Sequence, residues 1–334
     1  MAPLSPPSAG SQPGARAHIL RAPALYPPIA PYASGMLDVG GGHRIYWEEC
    51  GNPQGTPALF LHGGPGGGCS ASSRRWFNPQ AYRIVLFDQR GCGRSQPVAS
   101  LTDNSTAHLL ADMEALRIER GIERWLLMGG SWGATLALAY AQRFPARVRA
   151  LVLRGVFTGR RSELRWLYQE GASLLFPEAW EQFIAPIPQA ERHDLVDAYH
   201  ARLNCGDPQL EMRAANAWCA WEDALGTLEP SAPGYAEGEI ATLALARIEA
   251  HYFKHASFLG EGELIANAHL LEGIEGVIVQ GRYDAITPPA TAWELARAWP
   301  QALLQIVPDG GHASSEPGLL RRLLTATDRF ACPG

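Results

Sequence analysis

The sequence predicts an α/β architecture: a mostly parallel central sheet with helices on both faces and a helical cap inserted into it. Three features of the 334 residues carry that expectation. Between residues 58 and 153, short apolar runs alternate with stretches of helical period, the order in which a parallel sheet is wound. From about residue 157 to 265 the pattern changes to Trp-rich, charged amphipathic segments with Pro-containing breaks and no clear strand. Strand, helix and strand then resume at 277–280, 291–298 and 302–307, and a closing helix follows.

Taken in order, residues 1–24 are rich in Pro, Ala, Gly and Ser and read as a flexible extension, without the basic start and apolar centre of a secretory signal. Residues 35–51 and 58–61 read as short strands, and 83–87 (RIVLF) as a buried one. Residues 106–120 space Leu109, Leu110, Met113, Leu116 and Ile118 as a helix does. A strand at 125–128 runs into Gly129-Gly130-Ser131-Trp132-Gly133, and an Ala- and Leu-rich helix extends to Arg143 before Pro145 stops it. Residues 148–153 form the next strand. The expected division is a main domain from 25–156 and 266–334 and a helical cap from 157–265.

Composition narrows the function. With 46% hydrophobic and 18% charged residues, a formal charge of −5 and a pI near 6.1, the chain lacks the basic surplus that nucleic acid or an anionic membrane surface demands. No apolar run approaches the roughly 20 residues needed to span a bilayer. Six cysteines, Cys50, Cys69, Cys92, Cys205, Cys219 and Cys332, are scattered without CxxC pairs. They read as reduced thiols of a cytoplasmic protein with no metal site.

The chemistry concentrates at loops that follow strands. Gly129-Gly130-Ser131-Trp132-Gly133 is a GxSxG between an apolar strand and a helix, the setting of a nucleophile elbow. Its glycines permit a sharp turn that projects Ser131 Oγ and leaves the Trp132 N–H at a helix start, where it can stabilise an oxyanion. A serine hydroxyl needs a base, and the base an orienting acid. Asp284 follows the strand at 277–280 and His312 follows the last strand, so the order Ser131, Asp284, His312 is that of the α/β-hydrolase fold. His62, His251 and His255 do not follow the final strand, and Asp309 is the alternative acid. The loop His62-Gly63-Gly64-Pro65-Gly66-Gly67-Gly68 offers the Gly64 N–H as the second oxyanion donor. It lacks the GxxxxGK[ST] of a phosphate-binding loop. The charges of residues 88–95 are expected to brace neighbouring loops.

Together, HGGPGGG, DQRGCGRS, GGSWGATLALAYAQ, LRGVFTGRRSELRW, GRYD and GGH resemble the proline iminopeptidase family of serine peptidases, over about residues 25–330. The cap segments 218–222 (WCAWE) and 246–253 (ARIEAHYF) are part of the resemblance. It implies an α/β-hydrolase exopeptidase that takes peptides with an N-terminal proline and needs no cofactor or metal. Its triad would be Ser131, Asp284 and His312, with Gly64 and Trp132 donating to the oxyanion. Glu222 and Glu249 stand where the family binds the substrate's charged amine, and Phe157 and Phe253 where it lines an apolar proline pocket. Leu167 stands where relatives have an aromatic residue, and Thr287 where some have Cys. Read without the resemblance, the glutamates would be surface charges paired with a neighbour such as Arg247. The other readings are an esterase, amidase or epoxide hydrolase of the same fold, or an inactive hydrolase fold used for binding. Epoxide hydrolases of this fold use an Asp nucleophile, which Ser131 argues against.

Overall fold

The structure, a computed structural model, describes residues 24–229 and 238–331. Its eight strands form one sheet in the order β1-β2-β4-β3-β5-β6-β7-β8. Strands β3 (Thr56–Leu61), β4 (Tyr82–Phe87), β5 (Trp125–Ser131), β6 (Val148–Val156), β7 (Glu275–Gly281) and β8 (Ala302–Val307) run parallel. The stretch 35–51 is not one strand. It divides into β1 (Ala33–Asp38) and β2 (Arg44–Gly51), an antiparallel pair. Gly40, Gly41 and Gly42, all at positive φ, supply the reversal that residues with a Cβ resist. β2 joins the parallel part by pairing antiparallel with β4.

Alternate residues of the central strands face opposite sides of the sheet, and both sides are covered, so the strands read as continuous apolar runs. Leu59, Leu61, Leu127, Leu151 and Ile278 pack beneath α1 (Thr106–Glu119), α2 (Trp132–Arg143) and α9 (Pro289–Ala298). Ala58, Leu126, Val152, Val277 and Val279 face α10 (Pro317–Arg329) together with Trp76 and Phe77. Helix α2 is buried almost all round, which its Ala- and Leu-rich sequence allows.

Between β6 and β7 the chain forms α3 (Arg161–Tyr168), α4 (Pro177–Ile184), α5 (Leu195–Leu203), α6 (Pro208–Gly226), α7 (Glu239–Lys254) and α8 (Glu263–Ala266), with no strand among the described residues. Helices as short as α3, α4 and α5 have little stability alone and require tertiary packing. The aromatic residues supply it. Phe183 stacks on Tyr199 with ring centroids 4.7 Å apart and on Trp221 at 5.5 Å, and Tyr168 stacks on Trp218 at 4.4 Å.

The expected extension at 1–24 lies outside the described residues except for Ala24. The chain is already docked just beyond it, where Tyr26 Oη donates to Asp328 Oδ1 at 2.6 Å. No helix among the described residues is long and apolar enough to cross a membrane. The charges of residues 88–95 tie loops to one another. Arg90 donates from Nε and Nη2 to both oxygens of Asp112 at 2.7 Å, and from Nη1 to the Asp103 carbonyl at 2.8 Å. Asp88 accepts from the Cys69 N–H and from Arg94 Nε, each at 2.7 Å.

Arg90 and Asp112 are both under 5% exposed, so removing one partner strands a buried charge. Asp112→Ala is expected to cost about 3–5 kcal/mol of stability, read as a fall in the urea midpoint at unchanged slope.

Candidate active site

β5 ends at Ser131, whose φ of 56° and ψ of −125° lie where a residue with a Cβ is strained. The turn is held because the chain on either side is bare. A methyl group at Gly129 would stand 2.2 Å from the Gly133 carbonyl oxygen, and one at Gly133 would stand 2.2 Å from that of Leu61. Both glycines therefore permit backbone to touch backbone. Trp132 opens α2, so its N–H has no carbonyl partner within the helix. The glycine loop after β3 runs beside this turn: a methyl at Gly63 would lie 3.7 Å from Ser131 Cβ, and Gly64 and Gly66 both adopt a φ of 107°.

His62 is part of the scaffold of that loop rather than a base. Its Nε2 accepts from the Gln89 N–H at 3.0 Å and its Nδ1 lies 2.9 Å from the Gly63 carbonyl. Burial holds its pKa below the ordinary imidazole value. His251 lies 3.1 Å from the Asn104 carbonyl through Nε2, and burial pulls it down to about 4. His255 is exposed and bonded to the His251 carbonyl.

His312 and Asp284 meet at the C-terminal ends of β8 and β7. Nδ1 of His312 stands 2.9 Å from Oδ2 and 3.0 Å from Oδ1 of Asp284, and both residues are buried. Asp309 is exposed and bonds to neither. Burial alone would raise the Asp284 pKa, but attraction to His312 and hydrogen bonds from His312 and Thr287 outweigh it and leave the carboxyl below its ordinary value. Ile286 N–H, Thr287 N–H, Thr287 Oγ1 and Gln280 Nε2 donate to it at 3.1, 2.8, 2.8 and 3.1 Å. His312 is lowered, chiefly by burial, against the pull of Asp284 and with the help of Arg154.

Arg154 lies opposite Gly130 in the β5–β6 register, and its Nη1 stands 2.9 Å from His312 Nε2. With a guanidinium at Nε2 and a carboxylate at Nδ1, the ring is the neutral tautomer that carries its proton on Nδ1 and its lone pair on Nε2.

Helix α7 lies over the glycine loop: methyls at Gly64 and Gly66 would stand 3.2 Å from Leu245 Cδ1 and 3.1 Å from Leu245 Cα. It also rests on the elbow through Tyr252, edge-on to Trp132 at 4.9 Å. The same helix carries Glu249 and Phe253. Glu249 is buried and accepts from Trp218 Nε1 at 2.8 Å. It lies close enough to Glu222 for the two to titrate together, and Glu222 accepts from Tyr168 Oη. Among the described residues no Lys or Arg pairs with either carboxylate, and Arg247 pairs instead with Glu211 at 2.7 Å. Glu222 keeps partial access to solvent, but lost hydration still pushes its pKa up to about 7. Burial raises Glu249 well above the carboxylate range, and the neighbouring Glu222 adds to the rise. The walls are aromatic: Phe157 meets Phe253 edge-on at 5.7 Å, and Tyr168 lies 5.5 Å from Phe253. Leu167 is buried, and its carbonyl accepts from Trp221 Nε1 at 3.0 Å. No cluster of three or more His, Cys, Asp or Glu among the described residues could hold a metal ion.

Residues 56–319 match a family model for the α/β-hydrolase fold. The chain is 52% identical over 309 residues to a proline iminopeptidase of Xylella fastidiosa, an alignment covering 92% of this chain and 99% of that one. It is 49% identical over 310 residues to a proline iminopeptidase of Arabidopsis thaliana, covering 92% and 82% of the two chains. This chain belongs to the proline iminopeptidase family. It is a hydrolase, an exopeptidase of the serine hydrolase kind. Among solved structures it is similar to an α/β-fold hydrolase from Bacillus anthracis, with a TM-score of 0.58 at 16% identity over 90% of this chain and 99% of that one. An esterase from a Rhodococcus species gives 0.57 at 19% identity, over 89% and 98%. At that identity the likeness is one of fold.

Within this family member, the elbow brings Ser131 and Trp132 beside the glycine loop, and β7 and β8 bring Asp284 to His312. Glu222, Glu249 and Phe253 gather around Tyr168 and Trp218, and Phe157 meets Phe253. Tyr168 and Gln280 lie outside the motifs, and Trp218 and Arg154 lie within WCAWE and LRGVFTGRRSELRW without a role assigned to them there. Trp218 stands four residues before Glu222, one helical turn away, and that spacing is a signal that could have found it. Gly133→Ala, which drives a methyl into the Leu61 carbonyl, is expected to lower the thermal midpoint and to reduce hydrolysis at least ~10-fold by displacing the Trp132 N–H. Differential scanning calorimetry with a turnover assay checks it.

Proposed function

We propose that this chain releases proline from the N-terminus of peptides, using Ser131 as nucleophile, His312 as base, and Asp284 to orient and stabilise the imidazolium. The observation that carries this reading is the neighbouring Glu222–Glu249 pair, without a Lys or Arg partner among the described residues and walled by aromatic rings, with Glu249 on the helix that rests against the elbow and the glycine loop. Two neighbouring carboxylates, one buried and one partly so, with no counter-ion among the described residues, form a receptor for an ammonium group. The apolar faces of Phe157 and Phe253 suit a pyrrolidine ring. Residues 157–265 act in this reading as the cap that supplies specificity, and the remainder as the catalytic domain.

Arg154 Nη1 withdraws from His312 Nε2, and Ser131 Oγ attacks the prolyl carbonyl while that nitrogen takes its proton. The oxyanion accepts hydrogen bonds from the Gly64 and Trp132 N–H groups. Collapse transfers the proton from His312 to the leaving amine and leaves a prolyl ester on Ser131. His312 then deprotonates a water, which releases proline. Five free thiols among the described residues, Cys50, Cys69, Cys92, Cys205 and Cys219, suit a reducing compartment, and the cytoplasm is proposed as the location.

The carboxylate pair titrates as a unit. Near neutrality it retains a proton that competes with the incoming ammonium, so binding strengthens as that proton leaves. KM for a proline arylamide is expected to fall as pH rises through about 7. The acid limb of kcat should lie below the ordinary imidazole pKa of ~6.5, since His312 is depressed. Glu222→Gln should lower kcat/KM ~10–100-fold and flatten the KM profile. Ser131→Ala should lose at least ~10³-fold in turnover. Steady-state kinetics with free and N-blocked proline arylamides and simple esters test the reading. Equal turnover of blocked and free substrates, or activity on esters alone, overturns it.

A further inference from the structure

Thr287 occupies a position that the Ser131, His312 and Asp284 assignments leave without a task. Its hydroxyl donates to Asp284 Oδ2 at 2.8 Å, and the hydroxyl oxygen stands 3.2 Å from His312 Nδ1. Its own N–H donates to the other carboxylate oxygen, Oδ1, at 2.8 Å. One residue therefore grips both oxygens of Asp284 and touches the imidazole nitrogen they orient. The side chain is 3% exposed, so no water competes for these contacts.

Local sequence presets this geometry. Thr287 precedes Pro288, which biases its backbone to extended conformations, and β-branching restricts its χ1. Gln280, fully buried on β7, fixes the far side: its Nε2 donates to the Thr287 carbonyl at 2.9 Å and to Asp284 Oδ2 at 3.1 Å, and its Oε1 accepts from the Val156 N–H at 3.1 Å. The end of β6 is kept bare opposite the contact. At Gly155, with φ of +54°, a methyl would stand 3.0 Å from His312 Cε1 and 3.1 Å from Thr287 Oγ1. Three strand ends thus converge on one hydroxyl.

We propose that Thr287 is a positioning residue for proton transfer: its hydroxyl fixes the Asp284 carboxylate and the plane of His312, so that the ring is held in place when Nε2 exchanges Arg154 for the proton it takes. The inference rests on the triad reading above. A hydroxyl donating to a carboxylate withdraws charge from it, so its removal leaves Asp284 more basic and its hold on the protonated ring stronger. The contact on Asp284, shorter and charge-assisted, outweighs the longer one on Nδ1. Loss of the hydroxyl then raises the proton affinity of His312 and loosens the ring, effects that belong to the chemical step and not to binding.

The experiment compares wild type with Thr287→Val, Thr287→Ala, Thr287→Ser and Ser131→Ala on a proline arylamide across pH, with thermal midpoints recorded for each. Thr287→Val keeps the shape and removes the hydroxyl, and Thr287→Ala does so without crowding should the valine fold poorly. The expected result is a fall in kcat of about tenfold, the rate equivalent of one hydrogen bond to a charged group. KM should stay within about twofold, the acid limb should move to higher pH, and Thr287→Ser should restore both. Wild-type kcat and acid limb in Thr287→Val or Thr287→Ala overturn the proposal. A lower kcat with an unmoved acid limb also overturns it, because it reduces Thr287 to a structural part. Persistent turnover in Ser131→Ala overturns the triad itself and is distinguishable from failure of Thr287 alone.

Discussion

The constraint on which the rest of the site depends is the contact of bare backbone at the β5–α2 turn. Leu61 at the end of β3, Gly129 at the end of β5 and Gly133 in the first turn of α2 approach so closely that none of the bare positions tolerates a Cβ. That approach holds Ser131 in a backbone conformation it would not adopt alone, and the buried faces of α2 and the central strands supply the packing that offsets the strain. It also sets where the Trp132 N–H points and how near the glycine loop can run. A parallel sheet places the ends of β5, β7 and β8 on one edge, which is why Ser131, Asp284 and His312 can belong to a single site despite their separation in sequence.

Electrostatics at this edge are built from burial and compensated charge. Asp284 stays ionised because it accepts four hydrogen bonds in addition to its contact with His312, whereas Glu249 lacks a comparable set and retains its proton more readily. One kind of side chain thus serves as a fixed anion at the end of β7 and as a readily protonated group among the helices between β6 and β7. Arg154, drawn close to His312 by its register opposite Gly130, holds the imidazole neutral by donating to Nε2, and so occupies the lone pair until it moves aside.

Much of the fold was legible because its signals are local. Strand and helix periods, the glycines around Ser131 and the strand-loop placement of Asp284 and His312 all lie within short windows. The elbow context made Ser131 readable, and the family resemblance directed attention to Glu222 and Glu249, which period alone would have given to solvent. The stretch 35–51 misled because β-propensity on both sides of Gly40, Gly41 and Gly42 masks a reversal that only backbone torsions reveal. The contacts of Tyr168, Trp218 and Arg154 were not readable for a different reason. The partners of Tyr168, Trp218 and Arg154 lie 54, 31 and 158 residues away, and no window contains both ends of such a contact.

Helix α7 touches the glycine loop through Leu245 and Ile248, with no intervening element, and one helical turn from Leu245 it presents Glu249. On the proposed reading, the jaw that grips the substrate's amine and the one that receives its carbonyl oxygen are two arms of a caliper closed on a single van der Waals contact. Cleavage after one residue is then a measurement of length, set by side-chain bulk at Leu245 and Ile248 and by the bareness of Gly64 and Gly66.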